Sequence, residues 1–264
     1  MKKIIMFLFS VVFISILASS CSTDSSFPAA VATTPGTIKK LIESAYYNGQ
    51  VSTIEYNFNY ESGNLNAINF GSNFKFEFTM DGNKISQVKT VSNNISSNIN
   101  TILYEGTNLK SITNASSNEK SEFAHLNGLI ATDRNFYGLS NGTWVLSSLK
   151  NFTINSASNV ESTLYTFYQV SNQASKSSYE YDNKNHPFKN MNPYLRYILS
   201  YESFLSFGVN NLTKKFEYPS ATATTSTQSH NYVYVYNQSN FPISIKKYGF
   251  SNNVLQSECI IEYN

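Results

Sequence analysis

The sequence predicts an all-β chain, a single antiparallel meander of hairpin repeats in a strongly twisted or rolled sheet, with one short amphipathic helix near 193–207. Three observations carry this. Aromatic and polar residues alternate with period two, turns rich in Asn and Gly punctuate those runs, and one hairpin-sized unit recurs. Composition agrees: 19 Tyr and 19 Phe against only 14% charged residues suit half-buried pleated surfaces.

The first element is no part of that sheet. Met1-Lys2-Lys3, the apolar run Ile4–Ala18 and Ser19-Ser20-Cys21 read as an export signal over 1–20, since the run is short for a bilayer-crossing helix. The ending Leu17-Ala18-Ser19-Ser20-Cys21 resembles the lipobox of bacterial lipoproteins, although Ala18 stands where Leu is usual. The resemblance implies that Cys21 is the lipid attachment site and new N-terminus, holding the protein at the outer membrane of a bacterial envelope, on its periplasmic or surface face. Ordinary cleavage, which would leave Cys21 a stray thiol, is the alternative. Acyl chains gain about 0.8 kcal/mol per buried methylene, so a multiply acylated cysteine is a durable anchor. Residues 21–36, polar and carrying Pro28 and Pro35, read as a flexible tether.

Removing the signal changes the charge. Lys2 and Lys3 leave with it, so the 19 basic residues fall to 17, against 17 acidic ones. A neutral chain offers no field for phosphate backbones, so nucleic acid is not an expected partner. Lipidation of Cys21 also leaves Cys259 without a disulfide partner.

Residues 37–264 read as one β-rich domain of about ten to twelve strands. Ile38–Tyr47 and Val51–Tyr60 flank Asn48-Gly49, a strong hairpin signal. The first run also fits a helix through Ile38, Leu41, Ile42 and Ala45, but its entry into a two-residue turn favours a strand. Tyr56, Phe58 and Tyr60 alternate with Glu55, Asn57 and Asn59. The same holds for Phe74, Phe76 and Phe78, and for Tyr232, Tyr234 and Tyr236. Further turns are expected at Ser62-Gly63-Asn64, Asp81-Gly82-Asn83 and Glu105-Gly106-Thr107-Asn108. Asn192-Pro193 followed by Tyr194, Tyr197, Ile198, Tyr201, Phe204 and Leu205, then Gly208, reads as a capped helix that plugs or caps one end of the sheet. Pro219–Ser229 reads as a long loop.

A repeat underlies these elements. Tyr60, Leu65 and Ile68 share their spacing with Met80, Ile85 and Val88, and with Tyr104, Leu109 and Ile112. Weaker copies fall at Tyr181–His186, Tyr236–Phe241 and Phe250–Leu255, giving units of about 20 to 24 residues. The closing step of three would put its apolar residues on opposite faces of a flat strand. Either the first belongs to the turn, or a bulge restores parity and bends the sheet.

Tyr60-Glu61-Ser62-Gly63-Asn64-Leu65, Asp81-Gly82-Asn83-Lys84-Ile85 and Tyr179-Glu180-Tyr181-Asp182 resemble the tyrosine-aspartate hairpin repeats of Rhs-type proteins. Together with the signal and Tyr181–Asn190, they are similar to secreted lipoproteins of Flavobacterium-type Bacteroidetes. The resemblance implies fold and address, and no active site. Met80 departs from the aromatic pattern, and 117–155 matches loosely.

Candidate chemistry is sparse. His125, His186 and His230 lack metal-ligand spacing, and each reads as ending a strand or lining a turn. Cys259 alternates with Ile261 and Tyr263 and reads as a small buried hydrophobe. Asp81, Glu105 and Asp182 fall in turns, where carboxylates satisfy backbone amides. Glycosylation-like tripeptides at Asn94, Asn141, Asn151 and Asn211 are expected by chance in so Asn-rich a chain. Trp144 suits core or contact equally. Exposed Tyr beside Asn and Thr would suit a glycan or a peptide, but period two favours a core role for most aromatics. The expectation is therefore no catalytic, cofactor or metal residue, and a non-enzymatic binding or structural module of the envelope. The alternatives are a glycan hydrolase, which needs two converging carboxylates, and an accessory subunit of an outer-membrane complex, which needs an exposed apolar patch above roughly 600 Å².

Overall fold

The computed structural model describes residues 38–61, 63–168, 173–202, 208–249 and 253–264. The signal 1–20, the tether 21–36 and Cys21 lie outside the described residues. The order begins β1 (Ile38–Tyr47), β2 (Gln50–Glu61), β3 (Asn64–Phe70), β4 (Phe74–Asp81), β5 (Lys84–Ser92), β6 (Ile95–Glu105), β7 (Asn108–Asn114) and β8 (Glu119–Leu126). It continues with β9 (Leu129–Gly138), β10 (Trp144–Ile154), β11 (Val160–Phe167), β12 (Gln173–Tyr181) and α1 (Pro193–Glu202). β13 (Leu212–Tyr218), β14 (Gln228–Tyr236), β15 (Pro242–Gly249) and β16 (Leu255–Tyr263) complete it.

Every strand pairs antiparallel with its sequence neighbours, and β1 pairs with β16, so the meander closes into a barrel of 16 strands. This corrects the expected ten to twelve strands, and the twisted or rolled sheet is a closed barrel. The loosely matching stretch 117–155 holds the regular strands β8, β9 and β10. Their turn-end residues, His125 and Ile154, lack the aromatic signature. Closure follows because β1 and β16 each carry the inward period-two track, Leu41 facing Ile261 and Glu43 facing Cys259. Joining them removes the last unpaired edge.

Between β1 and β2, Asn48 and Gly49 take φ values of 49° and 77°, the left-handed conformation that a two-residue hairpin turn needs. At the other rim, the rim that carries α1, the parity question is answered by bulges. The register shifts between Asn59/Tyr60, Thr79/Met80, Leu103/Tyr104, Ala124/His125, Thr153/Ile154, Glu180/Tyr181, Val235/Tyr236 and Ile38/Lys40. One bulge thus sits at each hairpin junction on this rim, including the closure, and bends the wall there. The Phe250–Leu255 match belongs to the opposite rim, where it joins β15 to β16, and part of it lies outside the described residues.

The recurring tyrosine has a specific duty. The hydroxyl of Tyr60 donates to the Ile38 carbonyl at 2.9 Å, Tyr181 to Val160 at 2.8 Å, and Tyr263 to Pro242 at 2.9 Å. Each bond ties the last residues of a hairpin to its first. Tyr234 does this for Leu212 at 2.6 Å, because Tyr236 turns to the Asp182 carboxylate instead. Such bonds contribute about 0.5–1.5 kcal/mol each.

Inside, one continuous core contains Leu109 and Ile245 at 0% exposure, with Ile38, Ile68, Ile85 and Val88 at 1%. The connection from β12 to β13 enters this core. Phe188 is fully buried, and α1 presents buried Tyr194, Leu195 and Tyr197. Asn192 caps the helix, its Oδ1 accepting from the Tyr194 amide at 2.9 Å and from the Tyr104 hydroxyl at 3.0 Å. The expected plug is therefore present over Pro193–Glu202; 203–207 lie outside the described residues.

Candidate functional site

Partners directly opposite in the register share a face, so the ladder sorts every strand into inner and outer tracks. The outer track mixes ion pairs and amides with some aromatic and aliphatic residues. Ion pairs join Lys40 to Glu55 at 2.8 Å, Lys75 to Glu77 at 2.6 Å, Lys120 to Glu122 at 2.7 Å, Lys214 to Glu180 at 2.8 Å and Lys246 to Glu258 at 3.5 Å. Asn57 opposite Asn69, and Thr101 opposite Thr113, continue that surface. Among the described residues, exposed apolar side chains occur on opposite sides of the barrel. Ile99 and Leu103 on β6 lie across the barrel from Val233 and Val235 on β14. Trp144 joins this outer face: its ring and that of Phe136 each lie 5.0 Å from the Lys120 ammonium, so it is not core. The 16 strands thus form a barrel with ion pairs on its outer face and an apolar, aromatic core inside.

Polar residues interrupt that interior at several points, Asn100 opposite Val88 among them, and two of these places bear on function. The first is Asp133 on β9, at 0% exposure. Its Oδ2 accepts from the Tyr197 hydroxyl at 2.7 Å and lies 3.4 Å from the Lys150 ammonium. Above it, Ser121 donates to Asn135 at 2.7 Å and Asn135 to Ser148 at 3.3 Å. Tyr197 thus ties α1 to Asp133, whose Oδ1 has no hydrogen-bond partner. The geometry is that of an anchor for the helix.

The second is a charged layer nearer the opposite rim. Several inner tracks change from apolar to polar at similar height: Leu41 to Glu43 on β1, Ile245 to Lys247 on β15, Cys259 to Ser257 on β16, and Tyr232 to His230 on β14. On β13 the inner track is Lys215 and Glu217, paired at 2.5 Å. Burial pushes the Glu43 carboxyl up, and nearby Lys247 partly offsets this. Burial and the Lys215 charge push Lys247 down, while Glu217 and Glu43 oppose that shift. Glu217 ends below the usual carboxylate range: burial would raise it, but its bond to Lys215 and three nearby cationic groups prevail. Burial, with the Lys247 charge, also lowers His230. The Nδ1 of His230 and the Oγ of Ser257 are buried without a hydrogen-bond partner.

The residues singled out from sequence fall elsewhere, with one exception. Asp182 holds a turn as expected, its Oδ1 accepting from the Lys184 amide at 2.9 Å and the Asn211 amide at 3.1 Å. Cys259 is 1% exposed in the core, and burial raises its thiol well above the ordinary value. His125 ends β8, whereas His186 is 1% exposed and its Nδ1 accepts from the Phe188 amide at 3.2 Å. His230 is the exception: it is a wall residue of the charged layer, not a turn residue. Glu43, Lys215, Glu217, Lys247 and Ser257 were missed. Their signal was available on β1 and β15, where the period-two track runs from apolar into charge. It was hidden on β13, where Phe216 and Tyr218 face outward. No group of three metal-ligating side chains occurs among the described residues.

No protein-family model and no curated protein matches the sequence. Solved structures do. A porin-like protein from Bacteroides uniformis ATCC 8492 is similar with TM-score 0.55 and 14% identity, covering 90% of this chain and 100% of that one. A porin-like protein from Bacteroides vulgatus ATCC 8482 gives TM-score 0.46 and 11% identity over 87% and 99%. At such identity the first likeness is one of fold: a closed antiparallel barrel. The Rhs-type resemblance is carried by turn motifs alone.

Proposed function

We propose that this chain is an envelope lipoprotein, anchored through Cys21, whose barrel stands in water as a non-enzymatic binding or structural module. The observation that carries this is the sidedness of the wall. A bilayer-spanning barrel shows lipid an apolar band roughly 25 Å tall and keeps its lumen polar, with Lys or Arg at mid-bilayer costing about 2–4 kcal/mol each. Here Lys40, Lys75, Lys120, Lys214 and Lys246 are outside, and Phe58, Ile68, Phe78 and Ile245 are inside. Such a barrel needs a separate anchor, which a lipidated Cys21 supplies. The porin-like fold of its structural neighbours fits an envelope address.

Fatty-acid labelling with fractionation tests this. The parent chain is expected to carry label and sediment with membranes, whereas Cys21→Ala carries none and appears in the soluble fraction. Retention of Cys21→Ala in carbonate-washed membranes would contradict the reading.

A second reading, glycan hydrolysis, is favoured by one observation. Glu43 is raised and Glu217 lowered within one layer, the divergence that separates an acid from a base. Polysaccharide turnover abolished by Glu43→Gln would establish it; its absence across a glycan panel removes it.

A further inference from the structure

The charged layer and the Asp133 site are both polar intrusions into an apolar interior, and each holds a buried polar atom without a partner, but among the described residues only at Asp133 does a residue of α1 supply a bond. At Asp133 the Oδ2 is held by the Tyr197 hydroxyl of α1 at 2.7 Å and the Lys150 ammonium at 3.4 Å, while Oδ1 has no hydrogen-bond partner. In the charged layer, Lys215 and Glu217 close on each other at 2.5 Å, while other groups do not close. Lys247 and Glu43 lie within electrostatic reach, yet no ion pair joins them among the described residues. Ser257 is 7% exposed, on the same inner track as Cys259 and directly opposite Lys247, and its Oγ has no hydrogen-bond partner. The Nδ1 of His230 is likewise unpartnered. Below them Cys259 and Ile245, at 1% and 0% exposure, form a dry floor.

We infer that this layer binds a small zwitterion of the α-amino-acid or short-peptide type, its carboxylate on Lys247 and Ser257 and its ammonium on Glu43. The inference deepens the binding-module reading and rests on it. One cation and one carboxylate held apart on the same wall match a ligand carrying both charges. A simple anion would leave Glu43 repelling it, and a simple cation would meet Lys247. Orphaned polar atoms beside the pair are expected where a ligand completes the hydrogen bonding. Barrel mouths are common ligand sites for the same reason: a rigid wall presents a few polar groups over an apolar floor. The opposed burial shifts of Glu43 and Lys247 accord with two desolvated charges awaiting partners.

The test is saturation-transfer NMR on the full chain in detergent, with the L-amino acids and Gly-Gly as probes. Their N-acetyl amides and glucose serve as comparisons. At least one zwitterion is expected to bind with Kd below about 1 mM, and its capped form about tenfold more weakly. Lys247→Met and Glu43→Gln should each weaken binding about tenfold, roughly 1.4 kcal/mol. Ser257→Ala, which removes one hydroxyl and is expected to fold, should weaken it a few-fold; melting curves check all three. No zwitterion binding up to about 10 mM, equal binding of the capped form, or indifference to Lys247→Met in a folded protein overturns the inference. Glucose binding in place of the zwitterions would overturn it while leaving the binding-module reading intact. Loss of that reading shows instead in the Cys21 fractionation or in glycan turnover.

Discussion

Tyr197→Phe is the sharpest perturbation of the plug. It removes one hydroxyl and leaves the ring, which packs edge-on against Phe123 at 4.9 Å, so no cavity opens. The lost bond is the 2.7 Å donation to Asp133, a carboxylate with no exposure. Lys150 stands 3.4 Å from the same oxygen, long for a charge-assisted bond, and Oδ1 accepts none. Hydrogen bonds to charged groups contribute about 1.5–3 kcal/mol, and an orphaned buried carboxylate pushes the cost to the upper part of that range. For a domain of this size each kcal/mol moves Tm by about 2–4 °C. Tyr197→Phe should therefore lower Tm by about 4–12 °C in calorimetry or denaturant melts. A cycle with Asp133→Asn should show coupling of at least about 1 kcal/mol. A shift below about 1 °C, or additive effects in the cycle, would refute the assignment of this network as the helix anchor.

Further outcomes follow from the same structure. His230 titrates below 6.5 in the fold, so the unfolded chain takes up more protons and stability falls as pH drops through 6.5. His230→Gln should flatten the fall between pH 7 and 5 without abolishing it, because His125 is lowered too; an unchanged slope would contradict this. Tyr263→Phe removes the rim bond to the Pro242 carbonyl and should cost about 0.5–1.5 kcal/mol in urea melts, whereas Tyr47→Phe, at 76% exposure, should cost nothing measurable. Gly208→Ala would place a methyl 2.6 Å from the Asn159 Oδ1, which accepts from the amides of Val209 and Asn210 at 3.0 Å. A loss of about 1–3 kcal/mol is expected, and a neutral result would show that this corner yields freely.

Much of the wall was legible in the sequence because its signals are local. Tyr56, Phe58 and Tyr60 announce an inner track, Asn48-Gly49 a hairpin, and the step from Leu65 to Ile68 a break in parity that a turn residue or a bulge would explain, each within a few residues. Strand number was not legible where the rim residues are His125 and Ile154, since neither advertises the tyrosine latch. Closure was not legible either, because pairing β1 with β16 depends on residues far apart in the chain. The charged layer is harder still. Lys215 faces inward because the bulge between Glu180 and Tyr181 sets the parity of β13 against its own aromatic pattern. Phe216 and Tyr218 therefore point outward, with Lys176 4.5 Å above the Tyr218 ring. A neighbour's register overrode local hydrophobicity, and no reading of β13 alone would find it.

The most direct test of a wet exterior is nitroxide accessibility on the full chain reconstituted in lipid vesicles, with labels at outward Asn57→Cys, Thr101→Cys and Asn151→Cys. Native Cys259 is buried and spared. An aqueous nickel chelate is expected to relax all three labels more strongly than dissolved oxygen does. Oxygen-dominated relaxation at this height of the wall would mean that lipid, not water, touches the barrel.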